Sequence, residues 1–446
     1  MSPASRRESR SVIALLGSIL SSSAGVLALT TALGKQVFDL TDSELALGLL
    51  GLAEFAPNAL LVLVTGTLAD RFDRRRIAAL SMLTQAVVVA VLAWYATTDP
   101  TSAVPIFVLV VIWGTARAVG WPAQRALPPD VVSRERLPWL TVRYSGTFQG
   151  AMILGPVLGG FLYAADVAAP FIAVVALLVL GAVLMSLVEV RPPEKEGAGT
   201  TSEEQFRADA TLEAATEAAD GEAAGTPAKR IRFRDAIEGF VFIRREPLLL
   251  GAITLDLFAV LFGGAIALLP AIAEERLGVG AVGLGWLRAG VGIGAAAMTL
   301  ALAVRPLRRR VGPSLFVAVA AFGVGTIVLG LTTSFAVAFV AIVALSAADA
   351  ISVFIRATLV PLVTPAVVRG RVLAFEMVFI GASNELGAFE SGVAGQLLGP
   401  AAAITLGGVA TLVIAFLWAG LFPALRTVDR FPGLEVGVGL DQRDSG

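Results

Sequence analysis

Apolar runs of about twenty residues recur along this chain, and their recurrence constrains the fold more than any other feature. A helix of that length crosses the roughly 30 Å hydrocarbon core of a bilayer while satisfying its own backbone hydrogen bonds. The runs fall at 11–33, 44–69, 77–98, 102–122, 138–164 and 167–189, then at 247–272, 279–304, 311–333, 335–358, 372–398 and 400–424. Only 15% of residues are charged, against about 25% in soluble domains. The alternating strands of an outer-membrane barrel are absent from the sequence. The fold class expected is therefore an all-α membrane protein with twelve transmembrane helices. The first run follows Arg6, Arg7 and Arg10 and exceeds the 7–15-residue core of a cleavable signal, so it reads as an uncleaved span, with a cleaved signal as the alternative.

The charges between the runs divide the chain. Residues 1–189 form a first six-helix bundle and 247–424 a second. Between them, 190–230 is rich in Glu, Ala, Gly and Thr, buries too little apolar surface to order itself, and reads as a flexible cytoplasmic linker. In 231–246, Phe233, Ile237, Phe240 and Val241 share a helical face bordered by arginines, which suits a helix lying on the membrane surface. Residues 425–446 form a tail. Lysine and arginine crowd alternate turns: one set holds Arg71, Arg74 to Arg76, Arg125, Arg134, Arg136, Arg305, Arg308 to Arg310, Arg369 and Arg371, the other only Lys35 and Arg276. By the positive-inside rule both termini are cytoplasmic. Arg71, Arg74, Arg75 and Arg76 return 234 residues later as Arg305, Arg308, Arg309 and Arg310, which makes the bundles parallel, pseudo-symmetric repeats.

The first of these turns reads Gly66-Thr67-Leu68-Ala69-Asp70-Arg71-Phe72-Asp73-Arg74-Arg75-Arg76. It resembles the loop signature between the second and third spans of the major facilitator superfamily, G-x-L-a-D-R-x-G-R-R/K. Gly66, Leu68, Asp70, Arg71, Arg74 and Arg75 match, while Asp73 stands where the family usually has glycine. The wording is similar to a branch of antibiotic and siderophore exporters, macrolide or enterobactin exporter-like. Gly155, Pro156, Gly159 and Gly160 resemble the end of the fifth-span antiporter signature, with its earlier glycines off register. Arg117 lies in a stretch that resembles the fourth-span arginine motif of exporters but lacks its Gln-Gly continuation. The resemblance implies the major facilitator fold and makes the turn and the glycines a gating motif. A positive-inside anchor and plain helix packing are the alternatives.

A charge at mid-bilayer costs about 2.5–3.5 kcal/mol on insertion scales, so it needs a partner or water. Glu54, Asp256, Arg288, Asp349 and Glu385 stand well inside spans; Arg117, Arg143, Arg356, Glu376 and Glu390 are nearer the ends. With no histidine in the chain, proton chemistry falls to carboxylates. Glu54, Asp256, Asp349, Glu385, Arg117 and Arg288 are accordingly the candidates for proton coupling, and Asn58, Gln149 and Asn384 the candidates for the substrate cavity. Glu54 and Asn58 share one face of the second span, and the repeat sets Glu54 level with Arg288. The resembled fold packs span 2 beside span 11 and span 8 beside span 5, which would bring Glu54 toward Asn384 and Glu385, and Arg288 toward Gln149. Either these charges exchange a proton or they are static pairs that fix packing.

The function expected from the resemblance is secondary active transport by alternating access: proton-coupled export of a small amphipathic compound, drug-like or siderophore-like. Uptake of a metabolite, a lysophospholipid flippase of the same fold, and a non-transporting scaffold or receptor are the alternatives. An enzyme is not expected: no phosphate loop occurs, since Gly34-Lys35 is followed by Gln36, and cysteine is absent. The expected cofactor is none beyond a proton gradient. The expected partners are a small-molecule substrate and the lipid bilayer, not nucleic acid. The protein is expected to be a monomer in the inner (plasma) membrane.

Overall fold

The computed structural model describes residues 3–71, 73–190 and 240–432. Among them there is no strand, and twelve helices are long and apolar enough to cross a membrane. We number these α1 (Pro3–Thr41), α2 (Glu44–Arg71), α3 (Arg74–Ala96), α4 (Val104–Arg125), α5 (Leu137–Ala165), α6 (Ala169–Ser186), α7 (Pro247–Phe262), α8 (Gly280–Val304), α9 (Val311–Leu331), α10 (Phe335–Val363), α11 (Ala366–Leu398) and α12 (Pro400–Leu421). The linker 190–230 lies outside the described residues from 191 onward, as do 231–239 of the surface-helix segment; residues 240–245 are helical.

Sequence-local chemistry starts and stops the helices. Proline occupies the first turn of α4, α5, α6, α7 and α12, where its missing N–H is no loss. Asp42 and Asp99 take positive φ of 46° and 49° in the short turns before α2 and α4. Ser43 caps α2 through Ala46 N–H at 3.3 Å. Large apolar side chains cover the outside, among them Ile13, Leu300 and Phe416, as lipid requires.

Two helices differ from the sequence reading. α1 runs to Thr41 rather than ending at Leu33, which carries Lys35 and Asp39 into the helix. That is possible because the two charges are one turn apart and paired, and because Glu274 reaches the same ammonium at 3.1 Å. The seventh span is broken: α7 stops at Phe262 and continues through a 3₁₀ turn (Ala265–Leu268), Leu269–Ala271 and a π turn (Ile272–Arg276). α11 presses on the break. A Cβ on Gly264 would stand 2.5 Å from the Gly387 carbonyl oxygen, and one on Gly387 2.8 Å from those of Leu261 and Val260. Interrupted helices are tolerated at membrane depth where protein or a cavity covers the freed backbone.

The first six helices bury one pair of apolar clusters, around Trp113, Phe171 and Leu178 and around Leu15, Leu140 and Met185. The last six bury others, around Leu284 and Leu345 and around Leu315 and Leu359. The two bundles meet along two seams, α2 against α11 and α5 against α8, the neighbours expected. The arginine-rich turns share one end of the molecule, hereafter the basic end.

The basic turns are built differently in the two halves. In the first, Asp73 caps α3 by accepting from Arg75 N–H at 3.0 Å. In the second, α9 opens on Arg310 at φ 57°, and its cap is Asp429, from beyond α12: Asp429 Oδ1 accepts from Arg310 N–H at 3.1 Å, and the Asp429 and Val428 carbonyls accept from Val311 and Gly312.

Candidate functional site

The first basic turn is a network. Arg74 donates to Asp130 Oδ2 at 2.9 Å and to the Ala126 carbonyl at 3.2 Å, tying α3 to the end of α4. Arg75 makes a fork with Asp73, 3.1 and 2.8 Å, and donates to the Val188 carbonyl at 2.8 Å beyond α6. Asp73, the departure from the family pattern, thus serves as both cap and clamp. Hydrogen bonds from the Arg75 side chain hold its carboxyl below the usual carboxylate range. The side chains of Asn58, Asp70 and Arg71 and the packing of Gly66 lie outside the described residues.

The glycines of α5 serve two neighbours. A Cβ on Gly155 or Gly159 would stand 2.7 Å from the Ala24 carbonyl or 2.6 Å from that of Ala28, both on α1. Gly160 and Pro156 face α8 instead: a Cβ on Gly285 would stand 2.7 Å from the Pro156 carbonyl and 3.2 Å from Gly160 Cα. The other seam has a matching crossing, where a Cβ on Gly392 of α11 would stand 2.7 Å from the Glu44 carbonyl and 2.8 Å from Gly48 Cα of α2. Both crossings lie toward the end opposite the arginines. Lys35 and Glu274 also join the bundles there, as do Ser43 Oγ and Gln396 Oε1 at 2.6 Å. Phe38, Leu47 and Ala271 form a small buried apolar plug at the same end. Tyr163 donates to Asp39 at 2.8 Å and steadies the pair.

Two clusters of charge lie below this closure. The first spans the seam. The Glu385 carboxylate lies 3.1 Å from the Cβ position of Gly51, one turn from Glu54 on α2, and Arg288 of α8 is within electrostatic reach of Glu54. Arg288 lies against Gly34 of α1, its guanidinium 3.1 Å from where a Cβ would stand. Glu54, Glu385 and Asn384 are half-buried. Gln149 is buried, and its amide makes no hydrogen bond, so the expected approach of Arg288 to Gln149 yields no bond.

The second cluster is inside the second bundle. Arg356 of α10 pairs with Asp256 of α7 at 2.8 Å and with Glu376 of α11 at 3.7 Å, all three at most 7% exposed. Asp349, two turns from Arg356 on α10, is within electrostatic reach of Asp256 and Arg356. Arg356 and Glu376 stand nearer the ends of their runs in the sequence, yet the structure buries both. Distance from a run's end misled, because partners from neighbouring helices decide whether a charge snorkels. The signal available was the opposite sign of Asp256 and Arg356, both within apolar runs. Taking ions out of water costs several kcal/mol apiece even after relaxation, so such groups persist only with close partners. Both clusters set carboxylates beside a guanidinium, and a carboxylate so placed can take up or release a proton. Among the described residues no group of His, Cys, Asp or Glu is placed to hold a metal ion. Arg117 stands over two rings of its own helix, 5.6 Å from the Trp113 centroid and 5.7 Å from that of Trp121.

The fold recurs among solved transporters. The human organic anion transporter MFSD10 (TETRAN) superposes with a TM-score of 0.56 at 17% identity, covering 94% of this chain and 100% of its own. A bacterial homolog of the human lysosomal transporter Spinster, inward-facing and unoccupied, gives 0.65 at 16% identity, with 96% and 98% covered. A POT family transporter in complex with 5-aminolevulinic acid gives 0.67 at 11%, with 93% and 96% covered. At such identities the likeness concerns the fold. No curated protein matches the sequence. The family profile described as transmembrane secretion effector matches residues 235–434, and that of the Major Facilitator Superfamily matches residues 11–332. The chain is a transporter-fold membrane protein that belongs to the major facilitator superfamily.

Proposed function

We propose that this protein is a proton-coupled exporter of a small amphipathic compound, working by alternating access in the inner (plasma) membrane with both termini in the cytoplasm. The carrying observation is the placing of carboxylates beside guanidinium groups on facing helices in two clusters, Glu54 and Glu385 near Arg288, and Asp256, Asp349 and Glu376 around Arg356. A proton taken up or released by such a carboxylate changes what the clusters attract. The positive-inside rule assigns the basic end to the cytoplasm. The glycine crossings and the Lys35–Glu274 tie then lie on the external side and hold it closed. Rocking of the bundles about the two seams would open that side. The match of residues 235–434 to transmembrane secretion effectors supports outward movement.

The test is reconstitution in liposomes with an imposed pH gradient and a drug-like panel. Proton movement coupled to substrate flux, lost in Glu54→Gln or Asp256→Asn protein that still folds, is the expected result. Substrate flux indifferent to the gradient refutes the coupling.

A further inference from the structure

Helix α5 turns two of its faces to protein: Gly155 and Gly159 meet α1, while Pro156 and Gly160 meet α8. A third face carries Trp139, Arg143, Gly146, Gly150, Leu154 and Phe161 at helical spacing and looks away from both neighbours, toward lipid. Trp139, Arg143, Leu154 and Phe161 are all exposed there. A Cβ on Gly146 or Gly150 would meet nothing within 4 Å, so bare backbone runs along this face with open space beside it. In membrane helices small residues gather where another helix approaches. None of the described helices approaches here.

The charge on this face is placed for an anion. Arg143 stands about 9 Å along the axis from the start of α5 at Leu137. It has no carboxylate partner among the described residues. Its guanidinium folds back over the Trp139 ring, 3.9 Å from the centroid and one turn nearer the basic end. Arg136 stands over the same ring at 5.3 Å, but its charge is shared with Glu8 at 3.0 Å. An indole ring with an arginine snorkelling toward it is the arrangement expected at the edge of the hydrocarbon. A guanidinium held there forks onto phosphate oxygens, and the phospholipids of the facing leaflet supply them.

We propose that this face of α5 binds an anionic phospholipid from the leaflet at the basic end, with its phosphate on Arg143 over Trp139 and one acyl chain along the bare backbone of Gly146 and Gly150. Charge decides the occupant. A second copy of the chain crossing at the two glycines would set two Arg143 side chains, each a turn from the crossing, against one another. A lipid brings the anion together with the chain. A zwitterionic lipid also brings a compensating ammonium, so an arginine near the surface favours the anionic one by roughly 5-fold. The site depends only on the membrane-spanning fold and holds whichever way substrate moves.

The test is quenching of tryptophan emission in the purified full-length protein. Phosphatidylcholine nanodiscs carry a small fraction of either phosphatidylglycerol or phosphatidylcholine brominated on the acyl chain near the glycerol. The Trp139 signal is the difference between wild type and Trp139→Phe, which keeps an aromatic face. Brominated phosphatidylglycerol is expected to quench it at a roughly 5-fold lower fraction than brominated phosphatidylcholine. Arg143→Gln abolishes that preference, and Arg143→Lys, which keeps the charge, retains most of it. Arg76→Gln, at an arginine 84% exposed at the same end, leaves it unchanged. Gly146→Leu combined with Gly150→Leu fills the open space and weakens quenching by both lipids. Folding of each variant is read from its melting temperature, and the comparison of the two lipids in the wild type refutes the proposal without any variant. Equal quenching by the two lipids, a preference that survives Arg143→Gln, one that Arg76→Gln lowers as much, or quenching indifferent to the two leucines overturns it. The chain has no cysteine, so rapid disulfide formation between copies carrying Gly150→Cys would place a second helix on this face and overturn it too.

Discussion

Replacing Gly392 by alanine is expected to open the external side of the protein. The new Cβ would stand 2.7 Å from the Glu44 carbonyl oxygen and 2.8 Å from Gly48 Cα, where ordinary contact begins at 3.4 Å. Both obstacles are backbone, so no side chain can swing away, and α11 must retreat from α2 by about 0.7 Å. Overpacking of this kind costs about 1–3 kcal/mol. The strain exists only while the external ends are closed, so it shifts the closed–open balance by roughly 5- to 150-fold toward the outward-open state. The chain has no cysteine, so a single Asn384→Cys reporter, about 12 Å deeper along α11, reads the opening directly. Labelling of cells with a membrane-impermeant maleimide should accelerate in the Gly392→Ala background. Gly370→Ala on the same helix is the control, because a Cβ there meets nothing within 4 Å. Unchanged labelling in folded Gly392→Ala protein, or an equal rise in Gly370→Ala, refutes the reasoning.

Lys35→Met removes the cation shared by Asp39 and Glu274; because those carboxylates are partly solvated, we expect about 1–2 kcal/mol of loss in external closure and several-fold faster labelling of the same reporter. Arg356→Met leaves Asp256 and Glu376 buried without their guanidinium and should cost about 3–5 kcal/mol, seen as a lower melting temperature that Asp256→Asn in the same chain partly restores. Asp73→Gly should lose only a few tenths of a kcal/mol from the cap of α3, to which loss of the Arg75 fork adds. Because the folded-state pKa of Asp73 is depressed, its contribution is full above the ordinary carboxylate value of about 3.9 and disappears as pH falls through the folded value; the melting-temperature gap between wild type and Asp73→Gly should be constant from neutral pH to about 5 and close in stronger acid.

The twelve spans and the basic turns were legible because a bilayer imposes length and apolarity on each helix separately. The seams were legible through the resemblance, and Gly155 to Gly160 pointed to one of them. Features that depend on a second helix were not. α1 could not be seen to continue past Leu33, since Lys35 and Asp39 look like loop residues until Glu274 arrives from the π turn beyond α7. Arg356 and Glu376 looked like interfacial charges for the same reason. The pocket beside Gln85 in the first bundle depends on hydrogen bonds linking α3 to α4 and α4 to α1 that no single stretch contains, though Gln85, a glutamine within an apolar run, was a usable sign.

The uneven capping of the two basic turns bears on how the protein is made. Asp73 emerges from the ribosome next to the helix it caps, so α3 can settle as soon as it enters the membrane. The start of α9 waits for Asp429, 119 residues later. Until translation has passed α12, the amides of Arg310, Val311 and Gly312 lack their final acceptors. Assembly of the second bundle is therefore completed from its last residues backward, after synthesis of the spans is finished.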